Sequence, residues 1–107
     1  MSKKHPFVLV YAAEVKQHLR SIEKKYHSLI REAVETQLLF QPDVETRNRK
    51  ALEKPLELGA DWELRLGPDN RFRAFYTINP ENHEVRVLAV GVKQRSQLLI
   101  GGEEVQS

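Results

Sequence analysis

The chain contains no cysteine, which removes disulfides, thiol catalysis and cysteine-based zinc sites from consideration. It has no apolar run near the ~18 residues that a membrane-spanning helix requires. The opening Met1–Pro6 leads into only five apolar or aromatic residues, Phe7–Tyr11. That is too few for a secretory signal, and a cytoplasmic location is expected. Glycine is scarce and no glycine-rich phosphate loop is present; Gly101-Gly102 reads as a chain terminator. Ser28 and Ser96 lack the glycines of a nucleophile elbow. His5, His18, His27 and His83 have no metal-like spacing and read as structural or solvent-facing, because a site needs convergent partners. Charge of one sign is also in short supply: 17 Lys and Arg stand against 15 Asp and Glu, a net charge of +2. So small an excess does not by itself announce nucleic-acid binding. At 107 residues the chain fits one domain with a modest core, spanning 1–107 with 101–107 as a loose tail.

What is present is organised around Asp61–Ile78. Trp62, Leu64 and Leu66 alternate with Glu63 and Arg65; after Gly67-Pro68-Asp69-Asn70, the residues Phe72, Ala74, Tyr76 and Ile78 alternate with Arg71, Arg73, Phe75 and Thr77. Alternation at period two, bounded by turn formers, predicts a β-hairpin with a longer loop. One face is apolar. The other carries arginines on a rigid sheet, where a guanidinium fork can meet a phosphate.

Phe7–Tyr11 reads as a buried first strand. Val15, Leu19, Ile22 and Tyr26 recur at helical spacing, and Leu29, Ile30, Ala33, Val34, Leu38 and Leu39 form a second stripe over about Ser28–Phe40. The phase changes near His27, so two helices packed as a hairpin are expected, with Ser28 as N-cap and Pro42 ending the second. Gln41–Pro55 is polar and reads as a loop or frayed turn, with Leu52 as its anchor to the core. Glu84–Val92 is apolar on both sides near its end, as a central strand would be, and Gly91 there suits close backbone approach. Ser96–Ile100 reads as one helical turn. The expected class is α+β, in the order β-α-α-β-β-β: a small, mainly antiparallel sheet, a helical hairpin on one face and a short C-terminal helical turn.

The chemistry-bearing set is basic. Arg65, Arg71, Arg73, Lys93 and Arg95 cluster on one half of such a sheet, and Arg47, Arg49, Lys50 and Lys54 come from the loop beside it. A polyanion suits that face, with phosphates positioning the ligand and bases read separately by stacking. The same side chains also read as ordinary solvated charges balanced by Glu63, Asp69 and Glu84.

Trp62-Glu63-Leu64-Arg65-Leu66, Arg71-Phe72-Arg73-Ala74-Phe75-Tyr76 and Val87-Leu88-Ala89-Val90-Gly91-Val92-Lys93 with Arg95-Ser96 resemble the RelE/ParE toxin superfamily of bacterial toxin–antitoxin systems. Leu38–Pro42 and Asn48–Leu52 are similar to it as well, so that the likeness runs from about Val8 to Leu99. The resemblance implies a toxin neutralised by a cognate antitoxin. In the RelE branch it implies an endoribonuclease that cleaves mRNA in the ribosomal decoding site; in the ParE branch, a non-catalytic inhibitor of DNA gyrase. A homologue that only binds antitoxin is a third possibility. For the ribonuclease branch the RNA 2′-hydroxyl is the nucleophile, and neither metal nor cofactor is implied. By the same resemblance Arg65 stands where RelE has a lysine, Arg73 where it has its phosphate-clamping arginine, and Lys93 at the basic position after the last strand. The RelE tyrosine six residues beyond falls on Leu99. Arg65 and Arg73 are thus expected to hold the scissile phosphate, and Lys93 to transfer the proton, since an arginine stays protonated. Arg49, Lys50, Lys54, Arg71 and Arg95 are the expected RNA-binding residues. Leu98-Leu99-Ile100, partly uncovered beside a small sheet, is the expected mark of the antitoxin interface. An acidic antitoxin segment would suit the arginine face.

Overall fold

The computed structural model describes residues 5–105. Its elements run β1 (Val8–Tyr11), α1 (Glu14–Arg20), a 3-10 turn (Lys24–Tyr26), α2 (His27–Leu38), β2 (Arg49–Ala51), β3 (Trp62–Leu66), β4 (Phe72–Asn79), β5 (Glu84–Gln94), β6 (Gln97–Ile100) and β7 (Glu103–Glu104). The sheet order is β2-β3-β4-β5-β6-β7, each strand antiparallel to the next, and β1 joins β5 in parallel. The expected α+β architecture is the one found: two helices on one face of a mainly antiparallel sheet.

The helical pair buries Val15, Ile22, Ile30, Val34 and Leu38 against Leu64, Leu66, Phe72, Ala74, Tyr76, Val85, Val87 and Val90. Leu64, Leu66, Phe72, Ala74 and Tyr76 come from the face that alternation predicted for β3 and β4. The break between the helices lies earlier than the apolar phase suggested, at Ser21, and the second helix is uncapped by Ser28. His27 secures the break: its Nε2 donates to the carbonyls of Leu19 at 2.8 Å, which the Ile22 N–H also reaches at 3.0 Å, and of Ile22 at 2.9 Å, just past the end of α1. The hydroxyl of Tyr76, under stacked Trp62, donates to the Pro42 carbonyl at 2.7 Å and ties the exit of α2 to the sheet.

One irregularity decides the faces of β5. Phe75 pairs with Ala89 but Tyr76 pairs with Val87, so Leu88 is an extra residue. Such a bulge turns two successive side chains to one side. Val90 and Val92 thereby rejoin Val85 and Val87 on the helix face, where unbroken alternation would have opposed them. Leu88 and Ala89 go to the other face. There, Phe75, Ala89 and Ala60 form a second small core with Leu52, Leu56, Leu88, Leu98 and Ile100. The β2–β3 connection folds over it, with Leu52 N–H donating to the Asp61 carbonyl at 2.8 Å and Leu56 N–H to that of Ala60 at 2.9 Å. Leu52 is an anchor, as expected, but to this second core and not to the one beneath the helices.

Three further expectations are corrected. Phe7–Tyr11 is not a buried strand: β1 pairs along the edge of β5 and Leu9 packs against the main core, but Val8 and Tyr11 are exposed. Gln41–Pro55 contains a strand, β2, because β3 offers it an edge to pair with. Ser96–Ile100 is not a helical turn. Arg95-Ser96 forms a two-residue turn and β6 returns along β5, with Gly91 opposite Ile100 and Lys93 opposite Leu98. The approach is close: a β-carbon on Gly91 would lie 2.8 Å from the Leu99 carbonyl oxygen. Glu103–Glu104, placed in the loose tail, instead pairs with β6; the remaining tail residues 106–107 and the N-terminal 1–4 lie outside the described residues.

Candidate nucleic-acid site

The face away from the helices has two parts, the small core under the β2–β3 connection and a polar area next to it. Arg65 of β3 and Arg73 of β4 are direct cross-strand partners there. Gly91 of β5 lies opposite Arg73, and Lys93 follows two residues on. Lys93 is therefore a diagonal neighbour of Arg73, at ~7–8 Å for such positions. The structure brings together all three residues expected to be catalytic.

Two like charges directly opposite repel each other. The counter-charge is Glu63, which the strand period places on the same face. Its Oε1 is 3.4 Å from Arg65 Nε and its Oε2 is 3.6 Å from Arg73 Nε. Arg73 also donates through Nη1 to the Asn70 carbonyl. The two guanidinium groups differ in access: the Arg65 side chain is 37% exposed and that of Arg73 only 11%. Burial pushes the Arg73 guanidinium below its usual range; Glu63 opposes that shift and Arg65 adds to it. An arginine remains charged regardless. Arg73 is thus a poorly solvated cation crowded by a second one. A doubly charged phosphate or its transition state would relieve it more than the single carboxylate does.

The remaining basic residues divide. Lys50, on β2 opposite Glu63, is exposed on this face. Lys54 is exposed in the connection that covers the small core. Arg95 is exposed in the β5–β6 turn, in the left-handed region at φ 57°. Arg71 goes elsewhere: it precedes β4 in a helical conformation (φ −66°, ψ −30°), and its guanidinium lies over the Tyr26 ring, 5.5 Å from the centroid. Alternation does not extend to a residue outside the strand, and a cation over an aromatic face is favourable. Arg49 is buried. Its Nη1 donates to the Gln37 carbonyl at 2.6 Å and its Nε to that of Val44 at 3.0 Å. It satisfies carbonyls at the exit of α2 and offers nothing to a ligand.

Leu99, at the position of the family tyrosine, pairs with Val92 and so faces away from Arg65 and Arg73; its neighbours Leu98 and Ile100 share their face. Both pack on the small core. Sequence reasoning assigned Glu63 only to general charge balance. The signal for more was present, since period two sets it beside Arg65. Among the described residues no group of three His, Asp or Glu side chains converges as a metal site would require, and no helix is long and apolar enough to cross a membrane.

No protein-family model and no curated protein matches the sequence. Solved structures do. The chain is similar to one in the toxin–antitoxin complex RelBE2 of Mycobacterium tuberculosis, with a TM-score of 0.68 and 22% identity over 87% of this chain and 98% of that one. It is also similar to one in the archaeal RelE–RelB complex of Pyrococcus horikoshii, with a TM-score of 0.57 and 19% identity over 84% of this chain and 98% of that one. At these identities what is shared is the fold.

Proposed function

We propose that this protein is the toxin of a toxin–antitoxin pair and an endoribonuclease of RelE type. It cleaves mRNA in the ribosomal decoding site in the cytoplasm, and a cognate antitoxin neutralises it. The observation that carries the reading is the Arg65–Arg73 pair: two guanidinium groups directly opposite each other on a rigid sheet, one of them desolvated, with a single carboxylate between them. The likeness to toxin chains solved with their antitoxins supports it.

Cleavage begins when the 2′-hydroxyl attacks the adjacent phosphorus. Negative charge then grows on the phosphate oxygens, which Arg65 and Arg73 are placed to stabilise in a partly dehydrated site. Lys93 transfers a proton at the same face. Lys50, Lys54 and Arg95 contact flanking phosphates. Arg71 and Arg49, held by Tyr26 and by the exit of α2, drop out of the RNA-binding set.

A second reading, a ParE-like gyrase inhibitor or an inactive antitoxin-binding homologue, draws on Leu99. That position carries no tyrosine and faces away from the basic pair. Expression without a partner, followed by mapping of transcript ends in translating cells, separates the readings. New 5′ ends inside reading frames are expected, and Arg73→Ala should cut cleavage by roughly 100-fold or more. Intact transcripts with DNA-damage signalling would move the protein to the gyrase reading, and intact transcripts with normal growth to the silent one.

A further inference from the structure

We infer that Glu63 is the general base of this site, the group that takes the proton from the attacking 2′-hydroxyl, and that Lys93 is the acid that protonates the departing 5′-oxygen. The inference rests on the ribonuclease reading and deepens it.

The geometry is specific. Glu63 lies within 3.4 Å of Arg65 and 3.6 Å of Arg73, so a phosphate held by both guanidinium groups must lie beside its carboxylate. In a reactive conformer the 2′-oxygen is ~3–3.5 Å from phosphorus. The carboxylate is then the acceptor nearest to the proton that must leave. The other side chains around it cannot take that proton as readily: Lys50 from β2, Arg65 from its own strand and Arg73 from β4 are cations, and its remaining cross-strand partner is Phe75. A guanidinium has five N–H donors. Glu63 meets each arginine at Nε, which leaves both terminal nitrogens of Arg65 for phosphate oxygens and, with Nη1 donating to the Asn70 carbonyl, Nη2 of Arg73.

The charge movement favours the step. Before attack, the two arginines face the Glu63 carboxylate and a singly charged phosphodiester. As the proton moves to Glu63, the carboxyl becomes neutral and the pentacovalent phosphorus centre gains the negative charge. The arginines face the same total charge throughout, now shifted onto the phosphate that their forks fit best. The O2′–P bond forms and the P–O5′ bond breaks. The Lys93 ammonium gives its proton to O5′, leaving a 2′,3′-cyclic phosphate and a 5′-hydroxyl.

The test compares Glu63→Gln and Lys93→Ala on programmed ribosomes, with two mRNAs that share the mapped cleavage site. One is natural. The other carries sulfur in place of the scissile 5′-oxygen, a leaving group that departs without protonation. Single-turnover cleavage of the natural mRNA should fall about 100-fold or more in both variants. On the 5′-thio mRNA, Lys93→Ala should recover and Glu63→Gln should not. Binding of a 2′-deoxy mRNA should be unchanged or tighter in Glu63→Gln, since a negative charge next to the phosphate is gone. Cleavage by Glu63→Gln at the wild-type rate, or recovery of Glu63→Gln on the 5′-thio mRNA, would overturn the assignment and leave Glu63 a counter-ion only. Should Glu63→Gln fail to fold, Glu63→Asp keeps the charge and shortens the reach, and the same pattern across the two mRNAs is expected of it. A wild-type protein that leaves both mRNAs intact would refute the ribonuclease reading itself.

Discussion

Replacing Arg49 by methionine should destabilise the protein without touching its RNA contacts. The guanidinium donates to the carbonyls of Gln37 at 2.6 Å and Val44 at 3.0 Å, and to the Gln37 side-chain oxygen at 3.2 Å. Hydrogen bonds from a charged donor contribute about 1.5–3 kcal/mol each, and a buried acceptor left alone costs about 1–3 kcal/mol. Methionine keeps most of the apolar stem, so the loss falls on the acceptors. Val44 is exposed and water can reach its carbonyl; the Gln37 carbonyl is more enclosed. A net cost of roughly 2–3 kcal/mol follows, toward the lower end for two acceptors. With an unfolding entropy of about 2.1 cal/mol/K per residue, a chain of this length loses ~10 °C in Tm. Thermal and urea unfolding followed by circular dichroism would measure it, with the exposed Arg47→Met as control. The salt dependence of RNA binding, which counts neutralised phosphates, should not change in Arg49→Met. A variant that melts with the wild type but binds RNA with a shallower salt slope would show that Arg49 serves RNA and that its burial is not what holds α2 to β2.

Two further outcomes come from single contacts. Gly91→Ala would put a methyl group 2.8 Å from the Leu99 carbonyl oxygen and 2.9 Å from Ile100 Cγ1. Overpacking of that kind costs about 1–3 kcal/mol, and an unchanged urea midpoint would mean that β6 does not lie as close to β5 as described. His18 supplies a pH dependence. Its Nδ1 accepts from the Val90 N–H at 3.3 Å, in the gap on the β5 edge between β1 and β6. Burial, opposed by Glu14, lowers its pKa below the ordinary value of 6.5. The unfolded chain therefore takes up the proton first on acidification. The contribution to stability is complete above the ordinary value and is lost as the pH falls from there through the lowered folded value. Melting temperatures between pH 7 and 5 should fall more for the wild type than for His18→Asn, which keeps an acceptor that does not titrate; equal slopes would refute this role.

Part of the proposed site was legible because it depends on short-range order. Strand alternation needs only the chain's own pleat, and it placed Glu63, Arg65 and Arg73 on one face before any partner strand was known. The turn formers Gly67–Asn70 announced the hairpin, and the helical stripes named the residues that cover the other face. What stayed hidden depends on distant groups. Arg71 and Arg49 look like Arg65 in the sequence, but Tyr26 draws one away and carbonyls at the exit of α2 enclose the other. The Leu88 bulge reverses the alternation of β5 at a point that no local propensity marks.

Thus short-range order was enough to set the class of fold, the apolar face of the hairpin and the shared face of Arg65 and Arg73, whereas Lys93 joins them only through the Leu88 bulge. Periodicity and turn chemistry act within a few residues of chain. Long-range contacts set which arginines remain available, that Ser96–Ile100 extends the sheet, and that Glu63 sits between Arg65 and Arg73. A short segment adopts whichever conformation satisfies its backbone, and a charged side chain goes where a distant partner offsets its desolvation.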